Sequence, residues 1–175
     1  MKRGQMEMIG LVIIVILITL GMLFMAIFAL KEDPQKKIFT RKGLAYSTVS
    51  AAMKMNIECK DEGGKVYPQL GKDVLDQCAQ DNADSYCIKY NCEGKHCCQV
   101  FNETINKMLN STLGDWGKRF EFRAQLVQGK GLKPITLSEI KSKDGCQGKE
   151  RDSSGLFPIQ AGSAGLVETV LYICD

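Results

Sequence analysis

The residues with chemistry to offer are eight cysteines and one histidine: Cys59, Cys78, Cys87, Cys92, Cys97, Cys98, Cys146, Cys174 and His96. Thiolates and an imidazole are zinc ligands, but structural zinc sites usually pair two short C-x-x-C-like knuckles. Here Cys87-x4-Cys92-x4-Cys97-Cys98 ends on adjacent cysteines, which leave a chain in different directions. The cysteine number is even, and none lies in the apolar N-terminal run. Both features fit disulfides formed outside the cytosol. The expected pairs are Cys59–Cys78 and Cys146–Cys174, with the other four tying the 87–98 loop to the helix that follows. Each bridge would add ~2–4 kcal/mol by restricting the unfolded chain. Neither a metal nor a cofactor is expected.

No catalytic constellation accompanies the sulfur. His96 is the only histidine, and a lone histidine in a cysteine-rich loop is more often solvated than a base. The G-x-S-x-G elbow is absent. Gly129-Lys130-Gly131 lacks the frame of a phosphate loop, and no C-x-x-C redox pair exists. Trp116, Phe120 and Phe122 are expected to anchor a core, because large apolar side chains gain most from burial. With 23 Lys+Arg against 20 Asp+Glu, the charge is close to balanced, so no nucleic-acid partner is expected. The chain does not read as an enzyme.

These residues need elements to position them. Ile9–Leu30 is an uncharged run of 22 residues. As a helix it would span ~33 Å, about the thickness of a bilayer's hydrocarbon core. A cleaved signal peptide has a shorter apolar region and a small-residue cleavage site. Lys31–Thr40 is charged, and Pro34 should end or kink a helix leaving the membrane. Leu44, Thr48, Ala51, Ala52 and Met55 share a helical side within Gly43–Ile57. Asp61–Gly64 reads as a turn and Gly71–Gln80 as a short helix. Phe101, Ile105, Met108 and Thr112, with Leu109 at the edge, line one face of a helix over Cys97–Leu113. The period then drops to two: Phe120, Phe122, Ala124 and Leu126 alternate with polar residues in Arg119–Val127. Leu132–Ile140 and Leu166–Cys174 are further strands, separated by a Ser142–Gly155 loop and an Ala161–Gly165 turn. Helices followed by strands predict an α+β fold: an N-terminal transmembrane helix, then a small disulfide-rich domain with an antiparallel sheet. The expected division is 1–30 for the polar head and anchor, 31–42 for a charged linker, and 43–175 for the domain.

Lys2-Arg3-Gly4-Gln5 stands directly before the apolar run. This resembles the class III signal peptide of archaeal type IV pilins and related surface proteins. The resemblance covers about the first thirty residues of the chain. It implies that a prepilin peptidase cuts between Gly4 and Gln5 on the cytoplasmic side and leaves the hydrophobic helix on the mature protein. It also implies partners: copies of the chain or other pilins packed through residues 5–30, with membrane lipid around the helix before assembly. Typical bacterial pilins carry a glutamate five residues into the mature chain, where this sequence has Ile9. Gly10 and Gly21 would allow close helix approach.

Lys2 and Arg3 favour a cytoplasmic N-terminus, whereas Lys31, Lys36, Lys37, Arg41 and Lys42 would favour the opposite by count. The cysteines decide for an extracellular C-terminal domain. Two sequons, Asn102-Glu103-Thr104 and Asn110-Ser111-Thr112, agree and name Asn102 and Asn110 as candidate glycan sites. The function expected is a pilin-like subunit of a surface filament or pseudopilus. The alternative is an uncleaved single-pass extracellular binding or envelope protein.

Overall fold

A computed structural model describes residues 3–30, 34–61, 63–80, 89–127, 133–143, 145–146 and 151–174, with backbone alone at 3–9, 29–30, 34–35 and 37. The chain forms two compact units, Met1–Ile38 and Phe39–Asp175. The first is dominated by α1 (Arg3–Leu30), built from the apolar run.

α2 (Pro34–Lys54) begins on Pro34. Proline is suited to a first helical position, where its fixed φ helps and its missing N–H costs nothing. The expected charged break is therefore helical from Pro34 onward. The α2 stripe buried in the second unit is Arg41, Ala45, Val49, Ala52 and Met53. Ala51, placed on the inner side from the sequence, is exposed, and Leu44, Thr48 and Met55 are only half-buried. Leu44, Thr48, Ala52 and Met55 keep helical spacing as well as Ala45, Val49, Ala52 and Met53 do, so spacing alone does not choose between the two stripes.

A hairpin of β1 (Cys59–Asp61) and β2 (Gly64–Val66) follows. A wide helical turn over Leu70–Val74 leads into α3 (Leu75–Gln80). Gly71 sits against Met53 of α2: a Cβ there would lie 2.8 Å from the Met53 carbonyl oxygen, so only glycine allows this approach. α4 (Cys97–Leu109) buries Val100, Phe101, Ile105 and Leu109, then widens through Asn110–Gly114. Leu109, expected at the edge of the apolar face, is fully buried, whereas Met108 and Thr112 are half-buried.

The sheet is antiparallel, made of β3 (Arg119–Val127), β4 (Ile135–Lys141), β5 (Arg151–Ser153), β6 (Phe157–Ala161) and β7 (Gly165–Cys174). Its order is β4-β3-β7-β5, with β6 also paired to β7. β3 and β7 align from Arg119↔Cys174 to Val127↔Leu166. One face of β3 presents Phe120, Phe122, Ala124 and Leu126, which with Val167, Leu171 and Ile173 form the core under the helices. Phe101 of α4 meets Phe122 at 6.1 Å between ring centroids. The opposite face is polar, where Arg123 reaches Glu121 at 2.7 Å and Glu139 at 3.2 Å. The α+β class with helices before an antiparallel sheet is thus the observed one. The sequence reading missed the β1–β2 hairpin and the short strands β5 and β6.

Trp116 corrects an expectation. Phe120 and Phe122 are core residues, but Trp116 is 65 % exposed. It stands on the Asp115–Gly117 turn ahead of β3, outside the alternating pattern that buries the two phenylalanines.

Candidate functional site

α1 is the most unusual surface of the protein. Gly10–Phe28 is long and apolar enough to cross a membrane, and none of it is buried by the rest of the chain. Its large apolar side chains from Leu11 to Phe28 are 46–78 % exposed. Each would gain ~1.5–3 kcal/mol on leaving water. In lipid every backbone group must be satisfied internally, and a helix does this despite its Ile and Val. Thr19, the one hydroxyl of the span, donates to the Ile16 carbonyl at 3.0 Å, so it too needs nothing from solvent. At Gly10 and Gly21 a Cβ would meet nothing within 4 Å, so both are open to another helix. Gly4 and Gln5 lie in the first turn of α1, whose backbone alone is described.

The head is held by sulfur. Cys59 bonds Cys92, Cys78 bonds Cys98, and Cys146 bonds Cys174. Cys97 is disulfide-bonded as well, and Cys87 lies outside the described residues. The Cys146–Cys174 pair is as expected, but Cys59–Cys78 is not formed. Lys60 and Asn91 exchange backbone hydrogen bonds of 2.9 and 2.7 Å, which sets Cys59 beside Cys92. Cys78 on α3 instead faces Cys98 on the neighbouring α4. The adjacent cysteines Cys97 and Cys98 both begin α4, and Cys97 is the more deeply buried.

His96 directly precedes α4, and its carbonyl accepts the Val100 N–H at 2.9 Å. Nearby, Asn91 Oδ1 accepts the Gly94 N–H at 2.7 Å, stabilising a tight turn that holds Glu93 at φ 59°. Lys95 Nζ then sits 2.8 Å from Glu103 and 3.1 Å from Glu93. Hydrogen bonding to Glu103, then to Glu93, raises the Lys95 ammonium above its ordinary pKa. The Glu103 carboxyl is lowered by Lys95 first and Gln99 second. Among the described residues no three His, Cys, Asp or Glu side chains gather into a metal-binding group. The candidate glycan sites differ: Asn102 is half-buried, whereas Asn110 is exposed and donates to the Asn106 carbonyl and side chain at 2.8 Å.

Sequence reasoning missed one buried ion pair. Arg41 Nε lies 2.6 Å from Asp152 Oδ2, with both side chains about nine-tenths buried. It fastens α2 to β5, the short strand inside the segment read as a loop. Tyr46, 6.2 Å from Phe157 of β6, continues the contact. The signal available was the single cation on the α2 stripe, one helical turn before Ala45. No family model, curated protein or solved structure matches the chain.

Proposed function

We propose that the chain is a pilin-like structural subunit of a surface filament or pseudopilus. α1 would pack with copies of itself or with related pilins, and the disulfide-bonded head would form the exposed surface. The observation that carries this reading is the uncovered α1 preceded by Lys2-Arg3-Gly4-Gln5. An apolar helix can leave a bilayer only where other such helices cover it, and a filament core supplies them. The head supports the same reading. Its described cysteines are bonded, as in a domain that matures in an oxidising space, and it follows α1 in the same chain. On this reading the N-terminus is cytoplasmic, prepilin peptidase cuts Gly4–Gln5, and the head lies outside the cell. Asn102 and Asn110 remain candidate glycan sites on that side.

Mass spectrometry of the N-terminus of protein from its native cells tests the proposal. A mature chain beginning at Gln5 is the expected result. An intact Met1 overturns it in favour of the second reading, a single-pass anchored ectodomain that binds a partner or an envelope layer. Ile9 favours that alternative, because it offers no carboxylate to a neighbour's new amino terminus.

A further inference from the structure

The sheet register defines which end of the head lies nearest α1 along the chain. Arg119 of β3, Cys174 of β7 and Arg151 of β5 form the terminal row of the sheet. Asp152, one residue further in, holds Arg41 near the start of α2, while Tyr46 lies by Phe157, opposite Thr169. α2 therefore enters at the Arg119–Cys174–Arg151 end and runs toward the other. Two aromatic side chains stand free at this end: Phe39, 80 % exposed, and Trp116, 65 % exposed. Lys42, Lys143 and Arg151 are exposed at the same end, with Arg119 half-exposed. Asp115 is the exposed acid among the described residues there.

The chain limits how far this end can stray from the apolar span. From Phe28, α1 continues to Leu30 and α2 begins at Pro34. With helical rise in those parts and full extension between them, Phe39 lies at most about 25 Å of chain from the span's end. Phe39 within such reach, with Trp116, lysine and arginine exposed at the same end of the head, matches the chemistry of a bilayer interface. Aromatic rings settle at headgroup level there, and cations meet anionic lipid. We propose that, before assembly, this end of the head docks on a membrane surface rich in anionic headgroups, with Phe39 and Trp116 at the lipid interface. The inference rests on reading α1 as a membrane span.

Trp116 is the only tryptophan, so it reports by itself. The full chain is reconstituted into vesicles of phosphatidylcholine with or without phosphatidylglycerol, some carrying lipid brominated near the glycerol. The expected result is blue-shifted Trp116 emission, quenched by brominated lipid most strongly when phosphatidylglycerol is present. Charge neutralisation in K143Q/R151Q should lower the docking equilibrium constant by a factor of about five per residue. Vesicles that retain the protein while Trp116 emission stays water-like and unquenched overturn docking alone. Trp116 shielded from aqueous acrylamide yet untouched by brominated lipid overturns it too, in favour of a second copy of the chain. Vesicles that fail to retain the protein overturn the membrane span and the docking together.

Discussion

α1 and the head solve opposite physical problems. α1 exposes its large apolar side chains from Leu11 to Phe28, and its own chain covers none of the Gly10–Phe28 span. The head buries Phe101, Phe120, Phe122, Leu70 and Leu75 almost completely and adds disulfides between its helices and its loops. One region takes its stability from whatever surrounds it, and the other carries its stability internally. The difference teaches that the two should respond independently to chemical insult, and each insult below should strike one region and spare the other.

The largest expected effect is reduction. The three described bridges enclose separations of 33, 20 and 28 residues. Loop-closure entropy assigns each roughly 3–4 kcal/mol. Together they approach the whole stability of an ordinary domain, about 5–15 kcal/mol. Complete reduction should unfold the head at room temperature, seen as loss of near-ultraviolet circular dichroism. Co-flotation of the chain with vesicles should persist, because α1 contains no sulfur bridge. A reduced head that melts where the oxidised one does would erase the contrast.

Next comes the buried ion pair. Arg41→Met leaves the Asp152 carboxylate buried without its guanidinium partner, which costs about 3–5 kcal/mol. The double variant R41M/D152L should recover most of that loss, since an apolar pair of similar volume is often neutral. Denaturant midpoints of wild type, R41M, D152L and the double variant measure the cycle. If R41M alone matches wild type, α2 is not fastened to β5 in the way the 2.6 Å contact implies.

The reciprocal test strikes α1. Ile16 is 51 % exposed in the middle of the span. Ile16→Asp should cost about 3–4 kcal/mol of insertion, on the order of several hundredfold in membrane partition. The thermal midpoint of the head should not move. A head destabilised by this change would mean the two regions share a core after all.

How much of this was legible in the sequence follows the same divide. β3 matches its reading to the residue and α1 matches at its C-terminal end, since a strict period of two and an unbroken apolar run are strong local signals, but the helix begins at Arg3, six residues before that run. Spacing alone places Phe101 and Ile105 on the core face of α4, whereas Met108 and Thr112 are only half-buried and Val100 joins the core instead. What escaped depended on partners far along the chain. Cys59 was assigned to Cys78, because nothing local shows that Lys60 will bridge Asn91. β5 and β6 are short edge strands whose partner, β7, comes later in the chain, and their Ser, Gly and Pro neighbours read as loop. The inward side of α2 escapes the sequence because two stripes one residue apart keep helical spacing, and only the contact of Arg41 with Asp152, more than a hundred residues away, shows which one turns inward. Trp116 was assigned to a core by residue type, though its neighbours Gly114, Asp115 and Gly117 mark a surface turn.

The smallest effect is the pH response of the surface pairs. Lys141, more than Arg123, holds the Glu139 carboxyl below its ordinary 4.5, and Lys95 does the same for Glu103. A carboxylate with a depressed folded pKa contributes stability that is fully present above its unfolded pKa. That contribution is lost as pH falls through the folded value. The thermal midpoint of the head should therefore decline slightly on acidification from neutrality to about pH 3. At neutral pH and low salt, E103Q/E139Q should melt slightly below wild type, and the gap should close in acid. Added salt should narrow the gap at neutral pH as well, since both pairs are exposed and screened. The Gly10–Phe28 span has no titratable side chain, so vesicle association through it should stay flat over the same range. A gap that persists in acid would show that the glutamates act through packing and not through charge. A membrane association that follows the same pH curve as the head would show that the two regions respond as one.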